Sequence, residues 1–153
     1  MLNIDLSNRT ALVIGGSRGI GAGITEALCT AGAYTVFSHT GNPQNEERIR
    51  QLKEKIRSAG GNVLDATVDA LDSFGMENLV EKIIGETGEI DILVANVGKN
   101  FVRTPPEMDD EDWHSSIDIN LTSSFYGIRP ALNPMLKKGY GKIILIGSSA
   151  VFD

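Results

Sequence analysis

The chain has a single cysteine among 153 residues, so it cannot close an internal disulfide and must rely on a packed core. That residue, Cys29, lies within Ala27-Leu28-Cys29-Thr30-Ala31, where it reads as a buried structural thiol without a chemical role. Basic residues are also in deficit. Lys and Arg number 14 against 20 Asp and Glu, a net charge of -6, and this balance lacks the basic footprint a phosphate backbone requires. Nucleic acid is therefore not an expected partner. No stretch approaches the roughly 18 apolar residues of a membrane span, and Met1-Leu2-Asn3-Ile4-Asp5-Leu6 has no basic segment leading into an apolar run. A soluble cytoplasmic protein without membrane or metal sites is the expectation. Two glycosylation sequons, Asn8-Arg9-Thr10 and Asn120-Leu121-Thr122, are accordingly coincidental.

Against these absences stands a hydrophobic content of 41%, enough for one sizeable core, and residues 1–153 are read as one domain. Apolar runs and helical stretches alternate along it. Thr10 to Ile14 is a short apolar run that suits a strand buried on both faces. From Gly19 to Ala31, the spacing of Ile20, Ile24, Ala27, Leu28 and Ala31 predicts one helical face, closed by Gly32. The pattern then repeats: strands over 33–38, 62–68, 90–95 and 142–146, with helices over 45–59, 73–87 and one long stretch from 109 to 138. Such alternation implies right-handed β-α-β crossovers, hence an α/β doubly wound parallel sheet of Rossmann type in three α/β/α layers. Ligands in such folds sit beyond the carboxyl ends of the strands. The irregular stretch 96–108, with Pro105-Pro106, falls on that side and reads either as a pocket wall or as an ordinary surface loop.

Between the first strand and the first helix stands Gly15-Gly16-Ser17-Arg18-Gly19-Ile20-Gly21. Glycines at 15, 19 and 21 permit a tight turn and close backbone approach, and a helix start offers unpaired N–H groups to a pyrophosphate. The spacing is neither G-x-G-x-x-G nor that of a P-loop. By itself the segment is either a phosphate cradle or merely a glycine-rich turn.

The G-x-x-x-G-I-G spacing after an opening strand resembles the short-chain dehydrogenase/reductase family, particularly its 3-oxoacyl-carrier-protein reductases. Later segments extend the resemblance. Ile92-Leu93-Val94-Ala95-Asn96-Val97-Gly98 is similar to that family's L-V-N-N-A-G, and Ile119-Asn120-Leu121 to its v-N-l signature. Gly141-Lys142-Ile143-Ile144-Leu145-Ile146-Gly147-Ser148 is similar to its serine-bearing fifth strand. Ile14, Ala95 and Val97 depart from the family's usual threonine, asparagine and alanine, with an expected loss of about 0.5–1.5 kcal/mol per missing hydrogen bond.

The resemblance implies a nicotinamide cofactor held by Gly15, Ser17, Arg18, Gly19, Ile20, Gly21, Ser38, His39, Thr40, Asp69, Ala70, Asn96, Val97 and Gly98. Asp69 is placed like the family's acid near adenine. NAD-preferring folds put an acid at the end of the second strand, where this chain has His39, and Arg18 resembles the family's 2′-phosphate ligand. NADP(H) is thus favoured over NAD(H); the other reading of Arg18 is a solvated surface charge.

By the same resemblance Ser148 would stabilise a forming alkoxide and Asn120 would position a water, with a carbonyl or alcohol as substrate. Ser149 is the adjacent alternative serine, and Asn120 is otherwise a helix amide bonding its own backbone. The family's tyrosine and lysine come as Y-x-x-x-K, but Ser38, Pro130 and Ile144 follow Tyr34, Tyr126 and Tyr140 at that distance. Two expectations follow: the N-terminal part of a longer oxidoreductase, incomplete at the C-terminal end of its sheet, or a noncatalytic NADP(H)-binding or assembly module. Family members commonly assemble as homodimers or homotetramers through the long helix that includes Asn120 and the helix after the fifth strand, so such an oligomer is expected of the complete protein. Ile143 to Ile146 reads as a strand suited to burial on both faces, yet the helix expected after it does not follow, so a bare apolar edge is expected.

Overall fold

The computed structural model describes residues 4–148. Five strands, β1 (Thr10–Ile14), β2 (Tyr34–His39), β3 (Asn62–Thr67), β4 (Ile92–Ala95) and β5 (Lys142–Leu145), form one parallel sheet in the order β3-β2-β1-β4-β5. The helices are α1 (Gly19–Thr30), α2 (Glu46–Ser58), α3 (Ser73–Thr87), α4 (Asp110–Ile117) and α5 (Ser123–Lys138).

The continuous apolar character of β1 has a direct cause. Leu12 and Ile14 enter one core with Met76, Leu79, Val80 and Ile83 of α3 and Ala131 and Met135 of α5. Ala11 and Val13 enter a second core on the opposite face, with Cys29 of α1 and Ile49, Leu52 and Ile56 of α2. Alternate residues of a strand point to opposite faces, so a strand between two helical layers must be apolar throughout. Cys29 is buried, and its desolvation pushes the thiol pKa up.

Local chemistry sets the ends of the helices. Asp72 caps α3 by accepting from the Gly75 N–H at 2.9 Å, and Gly88 closes it at φ 85°. In α2 the acids Glu46 and Glu47 occupy the first turn and Lys55 and Arg57 the last, which suits the helix dipole.

At the end of the sheet opposite the glycine turn, the fully buried Asp91 carboxylate accepts from the Thr10 N–H at 2.8 Å, Arg9 at 3.0 Å and Lys138 at 2.5 Å. This knot ties the starts of β1 and β4 to the end of α5. Burial raises the Asp91 pKa, but the hydrogen bonds from Lys138, Thr10 and Arg9 outweigh it and leave the carboxyl below its ordinary value.

One expectation needs correction. The stretch 109–138 is broken: α4 passes into a π-helical turn, Asp118–Thr122, before α5 begins. Strand β5 is left bare as expected of this apolar edge, with Ile144 and Leu145 exposed. It pairs with β4 alone and lies at the sheet edge, where only the partly buried Ile143 and Ile146 join the two cores.

Candidate active site

The sheet order reverses at β1 and β4, with β2 and β3 on one side of β1 and β4 and β5 on the other. Helices leave in opposite directions at such a point and open a crevice beyond the strand ends. A cleft of about 720 Å³ lies there. Its walls are Gly15, Ser17, Arg18, Gly19 and Ile20 of the glycine turn, Ser38, His39 and Thr40 at the end of β2, Asp69 and Ala70 after β3, and Asn96, Val97 and Gly98 after β4.

Of the residues assigned to a cofactor from sequence, Gly21 alone does not line this cleft. It lies beneath it. A Cβ on Gly21 would stand 2.2 Å from the Gly15 carbonyl oxygen and 2.6 Å from Asn96 Nδ2, so the helix can approach the turn only without a side chain. Gly15 itself adopts φ 77°, and a Cβ there would meet Val97 at 2.7 Å. These clearances leave the turn's backbone bare toward the cleft. No side chain caps α1, whose first-turn N–H groups are therefore open to an anion.

The turn is braced from both neighbouring strands. Ser38 receives the Gly15 N–H on Oγ at 3.3 Å and the Gly16 N–H on its carbonyl at 3.1 Å. Asn96 Nδ2 donates to the Gly15 carbonyl at 2.9 Å. These bonds tie the turn to the second and fourth strands despite Ile14, Ala95 and Val97.

At the β2 end, His39 is committed locally. Its Nδ1 accepts the Gly41 N–H at 3.1 Å, which leaves Nε2 to donate to Asp65 at 3.2 Å. Asp65 also binds Lys53. Burial raises the Asp65 pKa, while hydrogen bonds from Lys53 and His39 more than reverse that and lower it. Among the described residues no carboxylate lines the cleft at the end of β2; the one on its wall is Asp69, whose Oδ1 accepts the Leu71 N–H at 2.9 Å.

Sequence reasoning missed part of the wall: Asn42, Gln44 and Asn45 before α2, Arg48 of α2, and Val68 after β3. Arg48 alone carried a legible signal. Its helical neighbours at three and four residues are Gln44, Asn45, Gln51 and Leu52, so no acid stands where a helical ion pair would form.

Asn120 and Ser148 lie outside the cleft wall. Asn120 sits in the π turn and clasps the backbone of Lys99, accepting its N–H at 2.9 Å and donating to its carbonyl at 3.0 Å. It also donates to the Ser116 carbonyl at 3.0 Å, so it bonds both its own helix and the loop after β4. Ala95 and Leu145 are register partners, so 96–98 and 146–148 leave neighbouring strands at one end of the sheet. This brings Ser148, which is exposed, to the same end as Gly98 and Asn120. Ser149 lies outside the described residues.

The family described as short chain dehydrogenase matches residues 9–153. The chain belongs to that family. Two relatives give the scale of the similarity. The chain is 35% identical over 142 residues to a D-beta-hydroxybutyrate dehydrogenase of Rhizobium meliloti (strain 1021), covering 92% of this chain and 54% of that protein. It is 34% identical over 145 residues to the 3-oxoacyl-[acyl-carrier-protein] reductase FabG of Escherichia coli (strain K12), covering 95% and 57%. This short-chain dehydrogenase chain thus spans just over half the length of these relatives. Among solved structures, a metagenomic short-chain oxidoreductase in complex with NADP superposes with a TM-score of 0.85 at 30% identity, over 94% of this chain and 63% of that one. A dehydrogenase/reductase from Sinorhizobium meliloti 1021 gives 0.85 at 30%, over 95% and 56%. Among the described residues no helix is long and apolar enough to cross a membrane.

Proposed function

We propose that this chain forms the cofactor-binding part of an NADP(H)-dependent oxidoreductase acting on a small carbonyl or alcohol substrate. The observation that carries the proposal is the cleft at the strand-order reversal, where a bare glycine turn, an open helix start and Arg18 face a β2 end without a carboxylate. A 2′-phosphate is compatible with that corner, whereas an acid there would repel it. The names of the two relatives, a hydroxybutyrate dehydrogenase and a 3-oxoacyl reductase, are consistent with alcohol and carbonyl chemistry.

Each group has a distinct task. Backbone N–H groups of the glycine turn bind the pyrophosphate, Arg18 the 2′-phosphate, and Asp69 and Ala70 flank the adenine. Asn96, Val97 and Gly98 border the nicotinamide side, with Gly21 and Ser38 keeping the turn in shape. When bound, the nicotinamide supplies or accepts the hydride. Ser148 donates its hydroxyl hydrogen bond to the substrate oxygen and so stabilises negative charge developing there. Asn120 is a positioning residue, holding a water and the Lys99 backbone. The alternative reading is a noncatalytic NADP(H)-binding or assembly module.

Fluorescence titration tests the proposal. NADPH is expected to bind more tightly than NADH, and Arg18→Ala to weaken NADPH by roughly ten- to a hundred-fold, the value of one charge-assisted hydrogen bond. An unchanged NADPH affinity in that variant contradicts the assignment of Arg18.

We further propose that the complete protein is a homodimer or homotetramer. The π turn and α5 leave Leu121, Phe125, Leu132 and Leu136 exposed on the segment through which the family commonly associates. Sedimentation velocity of the complete protein returning a monomer at micromolar concentration sinks this proposal.

A further inference from the structure

We infer that Arg48 of α2 is a second ligand for the cofactor's 2′-phosphate, acting with Arg18 as a two-arginine clamp. The inference rests on the NADP(H) reading of the cleft and adds a specificity-determining residue to it.

Three observations converge on Arg48. The first is its freedom. Several cations of this chain are held by acids: Arg9 and Lys138 by Asp91, Arg50 by Glu47 and Glu54, Lys53 by Asp65, Lys55 by Glu26, and Arg103 by Asp112. Among the described residues, neither Arg18 nor Arg48 has an ion pair or a side-chain hydrogen bond. The second is placement. Arg18 and Arg48 both line the main cleft, and both also line the adjoining groove between α1 and α2, so they stand on the wall common to the two. That wall borders the β2 end, where Ser38, His39 and Thr40 reach the cleft and where such folds place the adenosine ribose.

The third observation is that Arg48 is poorly placed for its own helix. It lies in the first turn of α2, where the positive end of the helix dipole disfavours a cation, and no acid stands three or four residues away to offset this. Of the acids nearby, Glu47 holds Arg50 and Gln51 and Glu26 holds Lys55, while Glu46 stands two residues away, a spacing that does not face Arg48 on the helix. A locally unfavourable residue facing a ligand cleft is better explained by the ligand than by the fold. Two planar guanidinium groups suit a phosphate dianion, which accepts paired hydrogen bonds from each.

The test is titration of the purified protein with NADPH and NADH, comparing Arg48→Ala and Arg18→Ala, with a melting curve for each variant. Arg48→Ala is expected to weaken NADPH by roughly ten- to a hundred-fold and to leave NADH within about twofold, at an unchanged melting temperature. If Arg48→Ala leaves NADPH affinity intact while Arg18→Ala lowers it, the clamp is overturned and the NADP(H) reading stands. If Arg48→Ala weakens both cofactors alike, its role is general and the clamp is again overturned. Should the unaltered protein bind NADH as tightly as NADPH, the cofactor reading fails and the clamp falls with it.

Discussion

Two glycines of the same turn are indispensable for different reasons. At Gly21 the obstacle is steric, because an added Cβ would press against the Gly15 carbonyl, a backbone atom that cannot rotate away. At Gly19 nothing stands within 4 Å, but φ is 53°, so a side chain there costs only conformational strain. Gly21→Ala is therefore expected to lose about 1–3 kcal/mol and most NADPH binding, and Gly19→Ala only about 1 kcal/mol. Thermal melts with a parallel titration check both; equal losses at the two sites contradict the distinction. The turn's position and its glycines were legible in the sequence because they punctuate a strand and a helix. The commitment of His39 to Gly41 and Asp65 was not, since Asp65 lies on a neighbouring strand that only the folded register brings alongside.

Among the elements, the segment 110–138 differs most from its sequence pattern. Its apolar periodicity reads as one helix, yet a π turn at Asp118–Thr122 interrupts it. Such turns recur at functional sites, where they redirect a side chain out of regular register. Here the redirected residue is Asn120, with its three hydrogen bonds to Lys99 and Ser116. No local residue pattern announces a π turn, because its compensation comes from the loop it clasps. Asn120→Ala should cost about 1 kcal/mol and speed amide hydrogen exchange at Lys99, while Asn120→Asp should retain the bond from the Lys99 N–H. Exchange at Lys99 that is unaffected by Asn120→Ala contradicts the clasp. Strand β5 was placed correctly by its apolar run, but burial is a property of neighbours. Val63 of the opposite edge strand, β3, is buried in one core with Ile49, Leu52 and Ile56 of α2, whereas Ile144 and Leu145 of β5 are exposed.

At the scale of the whole molecule, two cores on either side of one sheet make the fold, and the Asp91 knot fastens it away from the cleft. Asp91 and Asp65 both have folded-state pKa values below the ordinary 3.8. The unfolded chain therefore binds protons first as the solution is acidified. The stability these groups contribute is fully present well above 3.8 and is lost as pH falls through their lower, folded values. Asp91→Asn should cost about 1.5–3 kcal/mol at neutral pH and flatten the acid limb of the stability curve. Urea unfolding at several pH values measures this, and an unchanged acid limb contradicts the role given to Asp91.

The central claim is that the cleft at the strand-order reversal holds NADP(H). Its most direct test is a paired titration of the unaltered protein with NADPH and NADH, monitored by amide chemical shifts of Ser17, Arg18, Gly19 and Asn96. The account predicts tighter NADPH binding with shifts concentrated at those residues. Saturable binding that leaves those amides unmoved, or an equal or greater affinity for NADH, would contradict it.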